Sequence, residues 1–307
     1  MNLLITGAWQ DAGANIPNLR EMGHSVAFLQ YEKDPLPCDY GWVEGVVCNG
    51  LFLHHPIDKF ENLQYIQLTS AGFDRVPMDY VKKHGLEIHN ARGVYSIPMA
   101  EYALAGVLQL YKQMDFFREN QKRHAWEKHR GLLELAGKQV CILGCGSVGA
   151  ECARRFSAFG CQVTGVATSR REQPFFDSVI PVAELDTVLP RADVLVLTVP
   201  LTEDTRHLMD DERLKKLKTG AVLVNIARGA VVDTRALTEA LQTGRLGGAV
   251  LDVFEEEPLT ETSPLWDLEN VILTPHNSFV GEGNGRRLTN IILNHLKAVN
   301  ANDTKNT

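Results

Sequence analysis

Short β-branched runs alternate with amphipathic stretches along nearly the whole of the 307 residues, which predicts an α/β fold built on parallel sheets. Two further observations refine that class. The strand candidates fall into two sets, the second denser and more apolar than the first, and a long helical pattern separates them. A chain of this length suggests two domains, and the division of the strands says where they meet.

In the first set, residues 3–5, 25–29, 45–48 and 65–68 read as strands, each followed by a polar or glycine-containing turn. Ser96 then stands where a helix N-cap belongs, and Pro98 suits a first helical turn. The apolar periodicity runs on from 99 to about 117, and the domain crossing is placed there. Residues 140–143, 163–166, 194–198, 221–225, 248–253 and 271–274 form the second set, hydrophobic enough to predict a sheet buried on both faces. An amphipathic helix from 286 to about 299 has no strand after it and is expected to return to the first domain. The boundaries expected are therefore 1–95 with 279–307 for one domain and 96–278 for the other. The polar tail from 300 to 307 is the one stretch expected to be disordered.

Composition narrows the partners. Lys plus Arg number 31 against 38 Asp plus Glu, a net charge of −7, which argues against a surface that collects nucleic acid or anionic lipid. The six cysteines, at 38, 48, 141, 145, 152 and 161, form no even framework, so a reducing cytoplasm is the expected setting. The N-terminal apolar run lacks a preceding basic region and reads as a first strand rather than a signal peptide. No apolar run reaches the ~18 residues of a membrane span. Small molecules or proteins are left as partners.

Gly144, Gly146 and Gly149 match G-x-G-x-x-G, a weak signal alone but correctly placed here between a strand and a helix read from 150 to about 159. Such glycines give a tight turn, a close approach to pyrophosphate and close helix–sheet packing, and the amides around Ser147 and Val148 open the helix toward the phosphates. Cys141 and Cys145 have a metal-like spacing, yet one lies in the strand and the other beside the glycines, so both read as small apolar filler and no metal site is expected. The next strand ends without the acidic residue that hydrogen-bonds the ribose of NAD: after Ala167 come Thr168, Ser169, Arg170 and Arg171. Hydroxyls and guanidinium groups there suit a 2′-phosphate, which favours NADP(H) over NAD(H), with a solvated charged loop as the competing reading.

Arg228, Glu257 and His276 punctuate the ends of the last three strands, 29 and 19 residues apart. The carboxyl ends of parallel strands line the ligand crevice of an open sheet, so the three can converge. A 2-keto acid accepting hydride needs a fixed cation for its carboxylate, a proton donor for its carbonyl oxygen and a group that keeps the donor charged. Arginine, histidine and glutamate supply these in turn.

Residues 134–138, the glycine loop, 199–208, 225–229, 251–258 and 275–276 together resemble the D-isomer-specific 2-hydroxyacid dehydrogenase family, glyoxylate and hydroxypyruvate reductases included, over nearly the whole chain. The resemblance implies a Rossmann-type dinucleotide domain inserted into a smaller flavodoxin-like substrate domain made of both chain ends, with the active site in the cleft. It implies that Arg228 binds the substrate carboxylate and carbonyl, that His276 is the acid/base and that Glu257 is its partner. Asp252 would lie near the nicotinamide, and Val199, Pro200, Thr205, Ala227 and His276 would line the cofactor. Amides of Asn49, Gly50, Ala71 and Gly72 would hold the substrate carboxylate, and a homodimer would form through the region 99–117. The sequence departs from the common pattern at Asn277 and Ser278, and it lacks the arginine that phosphoglycerate-specific members place after the strand 45–48. A small unphosphorylated 2-keto acid is therefore the expected substrate. The competing reading is a dinucleotide-sensing, corepressor-like binding protein on the same fold. His54 and His55 read as surface or packing residues, Trp126 as interface or core, and Glu255 and Glu256 as solvated neighbours of Glu257.

Overall fold

The computed structural model describes residues 1–303, and most of its strands are buried along nearly their whole length, as in sheets covered on both faces. One unit comprises Met1–Tyr95 with Gly281–Thr307, and the other Ser96–Val280. The first contains β1 (Asn2–Thr6), α1 (Ala12–Glu21), β2 (Ser25–Leu29), β3 (Gly45–Cys48), β4 (Tyr65–Leu68), α2 (Met78–His84) and β5 (Glu87–His89). Its five strands are all parallel, in the order β2-β1-β3-β4-β5. Leu3 and Ile5 point to one face with Trp9 and Leu19, while Leu4 points to the other with Val46, Ile66 and Phe60.

The second unit opens with α3 (Ser96–Tyr111) and α4 (Met114–Lys122). A single helix from 99 to about 117 was expected; the chain instead enters the helix at Ser96 and breaks it at Gln113, whose φ of 50° is left-handed. Ser96 is thus the first helical residue, not a cap, and its buried hydroxyl has no partner among the described residues. There follow β6 (Gln139–Leu143), α5 (Ser147–Ala158), β7 (Gln162–Ala167), β8 (Ser178–Pro181), α6 (Leu185–Val188), β9 (Val194–Leu197), α7 (Asp211–Lys216), β10 (Ala221–Asn225), α8 (Thr234–Gln242), β11 (Leu246–Leu251) and β12 (Val271–Leu273). The seven strands are parallel in the order β12-β11-β10-β9-β6-β7-β8. Six were expected from the pattern; β8 is short, carries Pro181 and lies at the sheet's edge, where a missing N–H costs no ladder bond.

Both faces of this sheet are covered. Val140 and Ile142 pack under α3 and α5 with Phe156, and Cys141 and Leu143 pack on the opposite face with Leu185, Leu214 and Leu237. Gly106 lets α3 approach β11, since a Cβ there would come within 2.6 Å of Val250. The last helix, α9 (Asn284–Asp303), belongs to the first unit, where Leu288, Ile292 and Leu296 join the core of Leu3 and Ile5. It carries the first residues of the expected disordered tail, and residues 304–307 lie outside the described part. Among the described residues no helix is long and apolar enough to cross a membrane.

Candidate active site

Strand order reverses between β6 and β9, because the chain leaves β6 to one side for β7 and later returns on the other. In an open parallel sheet that is where the crevice for a ligand lies. The glycine loop occupies this position. Gly144 adopts φ +106°, open to glycine and strained for other residues, and the Thr198 hydroxyl, one residue past β9, donates to its carbonyl at 2.7 Å. Gly146 caps α5 and has nothing within 4 Å of where a Cβ would stand, whereas a Cβ on Gly149 would lie 1.9 Å from the Gly144 carbonyl oxygen. The loop is therefore tight on its inner side and open on its outer side. A pyrophosphate fits the open side, against the first amides of a twelve-residue helix.

Beyond β7, Arg170 donates to both carboxylate oxygens of Glu184 at 2.8 and 2.7 Å, and Arg171 and Gln173 donate to the carbonyl of Cys145 at 3.3 and 3.2 Å. Arg171 is thus tied to the glycine loop. Cys141 and Cys145 are buried, and burial pushes their thiols up to about 12 and about 11. Among the described residues no group of three or more His, Cys, Asp or Glu could hold a metal ion. On the far side of the loop the Thr205 hydroxyl donates to the carbonyl of Pro200 at 2.7 Å and accepts from the Thr202 amide at 2.7 Å, which folds 200–205 into a closed turn next to the half-buried Val199.

Arg228, Glu257 and His276 follow β10, β11 and β12, three neighbouring strands. His276 Nδ1 and Glu257 Oε2 are 2.9 Å apart, and the other carboxylate oxygen of Glu257 accepts from the amide of Phe254 at 3.0 Å. Glutamate and imidazole are both partly exposed, 37% and 42%, so the pair is fixed yet reachable. His276 has a left-handed backbone, φ 51°, maintained by its amide donating to the Asp252 carbonyl at 2.8 Å. Arg228 donates from Nη1 to the carbonyl of its neighbour Ala227, itself buried, at 2.8 Å.

Asp252 organises this end of the sheet. Its carboxylate is 1% exposed and accepts from the Thr274 hydroxyl (2.5 Å) and the amides of Asn277 (2.7 Å) and Ser278 (2.9 Å), with the Tyr102 hydroxyl on Thr274 at 2.6 Å. Three donors on one buried carboxylate satisfy it and hold the loop that carries His276. Asn277 and Ser278, the departures from the family pattern, contribute main-chain donors to that clamp.

One sequence expectation is extended by the structure and another needs correction. Glu255 is exposed, as expected, but it is also tied down: it accepts from the Thr234 amide at the start of α8 and from His207 Nε2, both at 2.8 Å, and so joins three segments. Partial burial pushes its carboxyl up, but these donors outweigh that and hold it below the usual range. The second concerns Asn49 and Gly50. Both amides already donate to the Glu32 carboxylate, at 2.6 and 2.7 Å, and one amide proton does not serve two carboxylates. Amides of Ala71 and Gly72 donate to nothing among the described residues, while their carbonyls accept from Asn90 Nδ2 (2.6 Å) and the Ser70 hydroxyl (3.0 Å). His55 is buried between the Tyr40 hydroxyl (2.9 Å) and the Asp34 carbonyl (3.1 Å), and His54 is exposed.

Gly229 couples the arginine to the glutamate. A Cβ there would stand 1.8 Å from the carbonyl carbon of Phe254 and 2.0 Å from its oxygen, both backbone atoms that cannot rotate away. Gly229→Ala is expected to cost at least about 1–3 kcal/mol of stability, as overpacking does. It is also expected to lower kcat/KM by displacing residues 254–257; urea unfolding and steady-state kinetics check both, and an undisturbed variant would show that the loop yields freely.

A parallel sheet with a glycine-rich loop at its reversal point, beside a histidine–carboxylate pair on neighbouring strand ends, defines an enzyme of the nicotinamide-dependent dehydrogenase class. Residues 104–278 match the D-isomer specific 2-hydroxyacid dehydrogenase, NAD binding domain. The chain belongs to that family. It is 35% identical over 251 residues, 79% of this chain and 74% of the relative, to a glyoxylate reductase of Thermofilum pendens. Two crystal structures each superpose with a TM-score of 0.80 at 27% identity. One is a D-isomer specific 2-hydroxyacid dehydrogenase of Xanthobacter autotrophicus in complex with NADPH and MES, with 98% of this chain and 95% of that chain covered. The other is a D-lactate dehydrogenase of Aquifex aeolicus with NAD and lactic acid, with 99% and 97% covered.

Proposed function

We propose that this member of the family is an NADP(H)-preferring reductase of small, singly charged 2-keto acids, with His276 as proton donor, Glu257 as its charge partner and Arg228 as the cation for the substrate carboxylate. The His276–Glu257 contact at 2.9 Å is the observation that carries the reading. When bound, the nicotinamide supplies or takes the hydride, and the protein's share is orientation and electrostatics. Imidazolium Nδ1 is held by Glu257, which leaves Nε2–H for the carbonyl oxygen. Arg228 is assigned to the carboxylate; within the first unit, the amides of Ala71 and Gly72 are left open. Met1–Tyr95 with Gly281–Thr307 is assigned as the substrate-binding domain and Ser96–Val280 as the dinucleotide-binding domain. A cytoplasmic setting is in keeping with six cysteines that are all free thiols. A homodimer through the region of α3 and α4 is supported by Trp126, 96% exposed, and by Met114, Leu132 and Leu133 exposed near it in sequence.

The cofactor preference rests on the end of β7, where Ala167 replaces an acid and Thr168, Ser169 and Arg170 follow. Arg170 is committed to Glu184, but that pair is exposed on both sides, 62% and 44%, and such pairs contribute only about 0–1 kcal/mol. A dianionic phosphate offers Arg170 more. NADPH is expected to exceed NADH by roughly ten- to a hundredfold in kcat/KM, the value of one charge-assisted contact. Arg170→Ala should erode most of that difference while sparing turnover with NADH. The test is steady-state reduction of glyoxylate and hydroxypyruvate with each nucleotide; equal or better kinetics with NADH in the unmutated enzyme would return Arg170 to the solvated loop.

A further inference from the structure

The sheet of the first unit has its own reversal point, between β1 and β3, because the chain leaves β1 for β2 on one side and reaches β3 on the other. At this position a five-stranded sheet of order 2-1-3-4-5 leaves a crevice beyond the strands' carboxyl ends. Three donors meet there: the hydroxyl of Thr6, the last residue of β1, and the amides of Asn49 and Gly50, which follow β3. Such a set would suit the oxygens of a ligand's carboxylate, sulfonate or phosphate.

The protein fills it with its own carboxylate. Glu32, just beyond β2, accepts through Oε1 from Thr6 Oγ1 at 2.8 Å and from the Asn49 amide at 2.6 Å, and through Oε2 from the Gly50 amide at 2.7 Å. All the donors of the cradle are spent, and a full negative charge stands where a second anion would otherwise go. Like charges repel, the more so away from bulk water.

We propose that Glu32 is a specificity-determining residue that closes this cradle to 2-keto acids bearing a second anionic group, whether phosphate, sulfonate or carboxylate, and so confines the enzyme to substrates with a neutral side chain. This rests on the assignment of the first unit as the substrate-binding domain. It also gives the amides of Asn49 and Gly50 a role within the first unit, selection by exclusion, while those of Ala71 and Gly72 stay open. Specificity of this kind comes from an element that rejects the wrong ligand, not from a contact to the right one.

The test compares hydroxypyruvate with 3-phosphohydroxypyruvate in the wild type, Glu32→Gln and Glu32→Ala. The wild type is expected to prefer hydroxypyruvate by roughly a hundredfold or more in kcat/KM, and Glu32→Ala to narrow that ratio at least about tenfold, chiefly through a lower KM for the phosphorylated acid. Glu32→Gln, neutral but of the same size, should fall between. A residue that merely ties three strand ends together would lower Tm and leave the ratio alone. Inorganic phosphate gives an arm independent of turnover: it should raise the Tm of Glu32→Ala more than that of the wild type. A wild type that reduces both acids within about threefold overturns the proposal, as does a ratio unmoved in folded variants. A wild type that reduces no 2-keto acid with either nucleotide overturns the reductase reading instead, and the phosphate arm then decides whether Glu32 fills the cradle.

Discussion

Replacing His276 with asparagine is expected to lower kcat for 2-keto acid reduction by roughly 10²–10⁴-fold, the range that a positioned general acid contributes. Asparagine is the informative substitute because the backbone at 276 is left-handed, φ 51°, a conformation that histidine and asparagine tolerate better than most residues. The loop should therefore keep its fold, anchored by three donors on the Asp252 carboxylate, and the loss should report proton transfer. An amide can hydrogen-bond the carbonyl oxygen but has no proton to give it. In energy the expected loss is about 2.7–5.4 kcal/mol of barrier. Glu257→Gln should cost less, since the amide oxygen can still accept from Nδ1–H, at the expense of the charge and of the bond from the Phe254 amide. A kcat for His276→Asn within about tenfold of the wild type, with Tm unchanged, would show that the proton reaches the substrate by another route.

How much of this was legible before the fold was known depends on the range of the interaction. The strands β9 and β10 are buried along their whole length and announce themselves as short unbroken apolar runs, the pattern of a parallel strand covered on both faces. Strand β8 does not, since an edge strand has one neighbour and admits a proline. The break between α3 and α4 turns on the left-handed backbone of Gln113, and glutamine carries no local mark of that conformation. In the site, Arg228, Glu257 and His276 stood out because strand ends are known from the strands, and neighbouring strands bring their ends together. Glu32 did not: it lies 17 residues from Asn49 and 26 from Thr6, and only the strand order shows that the three meet. Asp252 was read as a cofactor neighbour because its position matches a family motif, whereas its three bonds to the 274–278 loop depend on how that loop folds back. A polar residue at a strand end marks a place in the crevice, and which atoms it holds is decided by the loops.

Arg228→Lys is expected to lower kcat/KM by at least roughly a hundredfold, about 2.7 kcal/mol. The substitution keeps the charge and removes the planar fork, so it separates geometry from electrostatics. The guanidinium is oriented by its own chain: Nη1 donates to the carbonyl of Ala227, which is buried at the end of β10, and the Arg228 carbonyl accepts from the buried Asn225 side chain at 3.2 Å. Part of the fork is thus used to orient it. A carboxylate and a developing alkoxide present two oxygens in one plane, and a fork held in that plane binds both without reorganising, whereas an ammonium on a flexible stem meets one at a time. Because the alkoxide forms only as hydride arrives, part of the loss should appear in kcat and part in KM. Stability should change little, since the arginine is half-buried and its neighbour Gly229, not its side chain, packs against the 254–255 backbone. Keto-acid kinetics that survive the substitution would place the carboxylate on other donors, and the open amides of Ala71 and Gly72 would be the first to test, by comparing 2-keto acids with the matching ketones that lack a carboxylate.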